Sequence, residues 1–196
     1  MSEVNLLSRI DKLLNANEKV IWNGKPVKKA FVLPGLFSIP LGLIFLAFGI
    51  FWLSEITSAG APSFFTLFGL IFALIALGIA FAPSILQFLR YQNTEYMITD
   101  KRIITQTGAI GLDTRFVDLE KIQEVYVQIS VIDRLFGTGT VYAMTAGFSG
   151  FIPRGSYGYR GFGVNRPSFA ALKEPYEVQK LLQEAIEKLK EPKTEL

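Results

Sequence analysis

The stretch AFVLPGLFSIPLGLIFLAFGIFWLSEITSAGAPSFFTLFGLIFALIALGIAFAPSILQFL, Ala30–Leu89, decides the fold. Its sixty positions carry one charged residue, Glu55, and are otherwise mostly Leu, Ile, Phe, Ala and Gly. A helix rises about 1.5 Å per residue, so roughly 20 apolar residues cross a bilayer core of about 30 Å. Ala30–Ser54 is long enough for one crossing. Ile56–Leu89 is too long for one straight crossing, so part of it is loop or tilted helix. Taking Ser63–Leu89 as the second crossing leaves Glu55–Pro62 (EITSAGAP) as a short connection. The expected element is a transmembrane hairpin over residues 30–90.

A cleavable signal peptide is the rival reading of the first run. Its leading region would be 29 residues long and carry Glu3, Asp11 and Glu18, and its apolar core would be far too long. Orientation follows from the flanking charge. Lys25, Lys28, Lys29 and Arg90 lie on the side shared by both termini, while the connecting loop has no Lys or Arg. The positive-inside rule then expects a multi-pass protein of the cell membrane with both termini cytoplasmic.

Small residues mark where the two helices are expected to touch. Gly35, Gly42 and Gly49 recur every seven positions in the first, and Gly69, Ala73, Ala76 and Ala80 form a stripe in the second. Such residues let backbones approach closely in lipid. A pore or an oligomer seam is the sharper reading, and packing of the two helices on each other the plainer one. The plainer one is preferred, because a conduction path needs polar groups at mid-depth and the sequence offers none there.

The rest of the 196-residue chain narrows the chemistry. Half of all residues are hydrophobic and the mean hydropathy is +0.34, with the surplus concentrated in the hairpin. There is no cysteine and no histidine, which removes thiolate sites and the commonest general base and metal ligand. A net charge of +3 is too small to point to nucleic acid. No cofactor, metal site or enzymatic activity is expected.

Residues 1–29 read as a cytoplasmic lead-in. Leu6, Leu7, Ile10, Leu13 and Leu14 share one helical face in residues 2–15, expected to dock on the soluble part, and Glu18–Trp22 is a short strand-like run. After Arg90 the pattern turns to strands: Thr94–Ile98, Arg102–Thr107, Thr114–Leu119, Ile122–Ile129, Gly139–Thr145 and Gly161–Asn165, with Val131–Gly137 unassigned. Val178, Leu181, Leu182, Ala185, Ile186 and Leu189 then form one apolar stripe of a closing helix, expected to cover an open side of the sheet.

The run Tyr96-Met-Ile-Thr99-Asp100-Lys101-Arg102-Ile-Ile, the segment Leu119-Glu-Lys-Ile122-Gln-Glu-Val125 and Asp133-Arg134-Leu135-Phe136-Gly137-Thr-Gly139-Thr-Val141 resemble the prokaryotic PH-like domain family. With Leu13-Leu14 and Glu18-Lys-Val-Ile-Trp22-Asn-Gly24-Lys-Pro26 upstream, they resemble its membrane-bound branch, in which two transmembrane helices precede the domain. The resemblance implies a mainly antiparallel β domain over residues 91–196, two packed sheets capped by a C-terminal α-helix. That fold has seven strands against the six counted. The seventh is either Glu18–Trp22 or a strand within Phe148–Ile152. Residues 147–160 depart from the family pattern as an insertion.

That insertion begins the one suggestive constellation. No acidic residue lies between Asp133 and Glu174, whereas Arg154, Arg160 and Arg166 fall there among aromatics that include Tyr157 and Tyr159. Arg154, Tyr157, Tyr159, Arg160 and Arg166 are therefore candidate contacts for anionic lipid headgroups. The plainer reading is a loop whose aromatics tuck against the sheet. Thr99-Asp100-Lys101-Arg102 reads chiefly as a hairpin turn. Asp113, Asp118, Glu120 and Glu124 scatter over both strand faces and do not converge. The expected function is a membrane-anchored, non-enzymatic adaptor that presents the β domain to a protein partner or to a second copy of itself. The alternative is a module that senses anionic lipid. A reporter fused after Leu196 is expected to be active only on the cytoplasmic side, as checked by activity in intact cells and in inverted vesicles.

Overall fold

The computed structural model describes residues 13–146 and 167–190. Strand β1 (Val20–Gly24) comes first, followed by helices α1 (Lys28–Leu36), α2 (Ser38–Ser58) and α3 (Ser63–Gln92). Strands β2 (Glu95–Thr99), β3 (Arg102–Thr107) and β4 (Asp113–Asp118) lead through a 3-10 turn at Leu119–Lys121 into β5 (Ile122–Gln128). Helix α4 (Val131–Phe136), strands β6 (Gly139–Thr145) and β7 (Ser168–Leu172) and helix α5 (Pro175–Lys190) complete the order.

The strands form two antiparallel sheets, β1-β2-β3-β4 and β5-β6-β7. Their inner faces meet around Tyr96, Ile98, Ile103, Leu119, Val141 and Phe169. The Phe169 ring lies 5.8 Å from Trp22 and 5.2 Å from Tyr96, linking β7 to both β1 and β2. Val178, Leu182, Ala185 and Ile186 of α5 close this core, so the amphipathic stripe of that helix finds its partner. Strand β2 is buried along its whole length because its other face is covered too. Met97 and Ile104 on that outer face sit beneath Leu13 and Leu14.

Helices α1 to α3 account for the apolar stretch. Lys28–Ser58 and Ser63–Gln92 are each long and apolar enough to cross a membrane. Their large side chains point outward, with Ile44 66%, Phe64 71% and Leu74 67% exposed. The first span breaks at Phe37. Pro40 has no N–H to offer the Leu36 carbonyl, and its ring crowds that oxygen, so the helix stops and restarts. Hydroxyls take over at the break. Ser84 donates to the Gly35 carbonyl at 2.9 Å, and Ser38 lies 2.9 Å from that oxygen and 3.0 Å from the Ala80 carbonyl. Below them Gln87 donates to the Phe31 carbonyl at 2.9 Å. The few polar side chains of this apolar stretch thus find their partners on its own backbone carbonyls.

The seam between α2 and α3 runs along the small residues. A Cβ on Gly42 would collide with Ala80, and one on Gly49 would lie 3.2 Å from Phe72 and 3.6 Å from Ala73. At the two ends, a Cβ on Gly35 would come 2.9 Å from Gln87, and one on Gly69 2.6 Å from Leu53. Ala76 and Ala80 are fully buried in the same seam.

Several sequence expectations change. Helix α2 continues through Glu55 to Ser58, so the connection is shorter than Glu55–Pro62. Val131–Phe136, left unassigned, is helical because Ser130 and Asp133 form a capping box and Gly137, at φ 62°, ends the helix in the left-handed region. Strand β7 was missed, since Ser-Phe-Ala-Ala-Leu shows no alternation. A domain boundary at residue 91 leaves out β1, which pairs with β2 from Gly24↔Tyr96 to Val20↔Thr99. The expected helix over residues 2–15 falls almost wholly outside the described residues, and the expected strand Gly161–Asn165 entirely so.

Gly42→Val is expected to destabilise the hairpin by about 1–3 kcal/mol through overpacking. Gly78→Ala, with nothing within 4 Å of its new Cβ, is expected to be neutral or to stabilise by about 0.5–1 kcal/mol. Thermal unfolding in detergent micelles checks the contrast.

Candidate functional site

The places where the helices enter the sheet are closely packed. Ala30, Phe31, Ala170 and Ala171 are buried together, with Val27, Tyr91 and Phe136 packed around them. This cluster joins the hairpin to β7 and α4. Its geometry depends on a register shift where β6 and β7 pair between Gly139 and Val141. Ala171 there takes φ 54°, a left-handed conformation that costs a residue with a Cβ about 1–2 kcal/mol. Its carbonyl accepts the Val27 N–H at 2.8 Å, tying the start of α1 to the sheet. On the other flank Asn93, just past α3, donates from Nδ2 to the Gly108 carbonyl at 3.0 Å, which holds the β3–β4 turn beside the helix end.

Cations gather at the same level. Lys25 pairs with Glu95 at 2.8 Å, and the Lys28 ammonium lies 5.1 Å from the Phe88 ring and 6.0 Å from Tyr91. A cleft of about 220 Å³ opens beside them, lined by Trp22, Lys25, Lys173, Glu174 and Glu177 among others. Its mixed charges, two lysines facing two glutamates, do not favour an anion or a cation.

The Thr99–Arg102 turn stands at the far end of the first sheet and is committed to a clamp. Arg102 donates from Nε and Nη2 to the two oxygens of Glu18, each at 2.9 Å, and from Nη2 to the Leu13 carbonyl at 2.9 Å. Thr99 donates its hydroxyl to Glu18 at 2.7 Å, and the Asn15 N–H adds a bond at 2.9 Å. The guanidinium also stacks 4.5 Å from the Phe116 ring. Burial pushes the Glu18 carboxyl up, but the bonds from Arg102, Asn15 and Thr99 outweigh it and hold the group below the usual carboxylate range. The clamp fastens the segment before β1 to the β2–β3 turn.

Two four- and three-stranded antiparallel sheets closed by one C-terminal helix, with a helical pair between the first two strands, agree with a comparison at the level of families. A family model described as bacterial PH domain matches residues 30–186. The chain belongs to the bacterial PH domain family. The match takes in both apolar helices, and β1 lies before it although it completes the first sheet. No curated protein and no solved structure matches the chain. Membership supports an interaction module in general terms.

Within this bacterial PH domain the acidic candidates are spread out. Asp113 pairs with Arg115 and Asp118 with Lys121, both exposed, while Glu120 and Glu124 stand apart in the 3-10 turn and β5. Among the described residues no three His, Cys, Asp or Glu side chains come together. Asp133 is buried for structural reasons. It accepts from the Ser130 N–H at 3.0 Å and the Thr138 hydroxyl at 2.9 Å, pinning α4 between β5 and β6. Arg154, Tyr157, Tyr159, Arg160 and Arg166 lie outside the described residues. Sequence reasoning missed the alanine pair 170–171, whose only signal is two small residues where the strand meets the hairpin.

Glu18→Gln is expected to cost about 3 kcal/mol near neutral pH, the low end for breaking a buried ion pair. The lowered carboxyl stabilises the fold fully above the unfolded-state value of about 4.3 and loses that stabilisation as pH falls through the lower folded value. The difference in thermal midpoint between the two proteins should therefore shrink on acidification, as read from melts across the acid range.

Proposed function

We propose that this bacterial PH domain is a non-enzymatic interaction module anchored in the membrane, with the hairpin crossing twice and both termini in the cytoplasm. The observation that carries the reading is the outward display of Ile, Leu and Phe along both long helices while Gly and Ala fill the seam between them. A monomer in water rarely exposes a contiguous apolar patch beyond a few hundred Å². Lipid is the solvent that suits such a surface. Lys25 just before the first long helix, Lys28 and Lys29 at its start and Arg90 in the last turn of the second support the cytoplasmic placement of the domain.

The partner surface we favour is the edge at β4. This strand ends the four-stranded sheet and has no strand on its outer side among the described residues. Phe116 on it is 44% exposed. An open edge accepts an extended segment from a protein partner or from a second copy by strand addition. The alternative use of Arg154, Arg160 and Arg166 against anionic headgroups falls on residues outside the described ones.

Full-length protein is expected to stay with membranes through alkaline carbonate. A photoreactive residue replacing Phe116 should give a cross-linked adduct in native membranes that the same residue at Lys180 on α5 does not. Release by carbonate overturns the anchoring, and absence of an adduct specific to β4 overturns the edge. Should alanine at Arg154, Arg160 and Arg166 abolish binding of the protein to added anionic vesicles, the lipid reading replaces it.

A further inference from the structure

Among the described residues outside α1 to α3, five large apolar side chains are more than half exposed: Ile110 93%, Leu112 54%, Val131 73%, Leu135 73% and Tyr176 63%. All five stand at one end of the domain. Ile110 and Leu112 belong to the β3–β4 turn that the Asn93–Gly108 bond holds beside the end of α3. Val131 and Leu135 lie one turn apart on α4, whose Phe136 packs into the cluster with Ala30 and Phe31 of α1. Tyr176 follows Pro175, which packs against Gly139 next to the same cluster. The opposite end carries Lys101 and Glu120, and the large apolar side chains near it among the described residues, Val20 41% and Ile21 42%, are less than half exposed.

We infer that this end of the domain is itself seated in the lipid interface, with the β3–β4 turn and α4 acting as two apolar wedges on either side of the hairpin. The inference rests on the anchoring proposed above. The occupant is argued from continuity: the wedges adjoin the outward faces of α1 and α3, so the solvent that bathes those helices reaches the wedges first. Charge agrees. Arg134 lies between Val131 and Leu135 on the exposed side of α4, and Lys28 and Lys29 stand close by at the start of α1. A cation beside apolar side chains suits the headgroup level, where the long stem stays in the apolar layer and the charge reaches the phosphates. The domain so seated has no freedom to swing on the hairpin, because its attachment is made at both flanks.

The absence of cysteine makes the test direct, since each variant carries a single thiol. Ile110→Cys, Leu135→Cys, Lys101→Cys, Glu120→Cys and, in mid-hairpin, Leu74→Cys are labelled with an environment-sensitive fluorophore. The full chain is reconstituted in phosphatidylcholine and phosphatidylglycerol vesicles with or without nitroxide-bearing lipid. Labels at 110 and 135 should shift to the blue and lose intensity to the lipid nitroxide, and labels at 101 and 120 should respond only to an aqueous quencher. Labels at 110 and 135 that behave like those at 101 and 120 overturn the inference while Leu74 remains quenched by lipid. Labels shielded from both quenchers show that protein covers the end, and overturn it as well. A Leu74 label insensitive to lipid nitroxide removes the anchoring and the wedges together.

Discussion

Strand β1 and strand β2 are neighbours in the sheet but not in the chain. The pairing of Gly24 with Tyr96 brings together positions that the whole helical hairpin separates, and paired strands stand only about 4.8 Å apart. Both long helices must therefore leave and return at the same end of the first sheet. A flexible insert of that length would make closure costly in entropy, growing with the logarithm of the loop. Two helices that zip along a glycine and alanine seam shorten the effective loop to the junctions at either end. The seam, the Ala171–Val27 bond and the β1–β2 ladder are in this sense one device.

The junction shows how a local penalty is offset by its surroundings. Ala171 adopts a backbone conformation that a residue with a Cβ disfavours, yet its methyl is buried among Ala30, Phe31 and Tyr91 and its carbonyl meets a specific donor. Glycine would ease the backbone but leave a gap in the cluster. Polar groups follow the same logic at the Phe37 break, where the Ser38 and Ser84 hydroxyls both reach the Gly35 carbonyl.

Much of this was legible in the chain. The uncharged runs from 30 to 54 and from 63 to 89 predict two long apolar helices, which the structure has, and the turn-bounded runs Arg102–Thr107 and Gly139–Thr145 predict strands whose limits the structure reproduces. What escaped did so for physical reasons. Helix α4 depends on a cap, Ser130 with Asp133, that outweighs the weak periodicity of six residues. Strand β7 is buried from Phe169 through Leu172, so it lacks the alternation that marks a half-buried strand. The role of Arg102 was hidden because its partner, Glu18, lies 84 residues away in sequence. The aromatic and basic residues from 154 to 166 were the most conspicuous pattern and lie outside the described residues, whereas the apolar tips at Ile110 and Leu135 looked unremarkable until topology put them at one end.

The break in chain order between β1 and its partner also sets a timetable for synthesis. A ribosome delivers residues from the first to the last, so Val20–Gly24 is made well before the residues through Thr99 that pair with it. Throughout that interval β1 lacks the strand it pairs with in the folded sheet, while both apolar helices come to completion. The globular part cannot begin to close before the hairpin has been made, and the arrangement of the strands alone enforces that sequence of events.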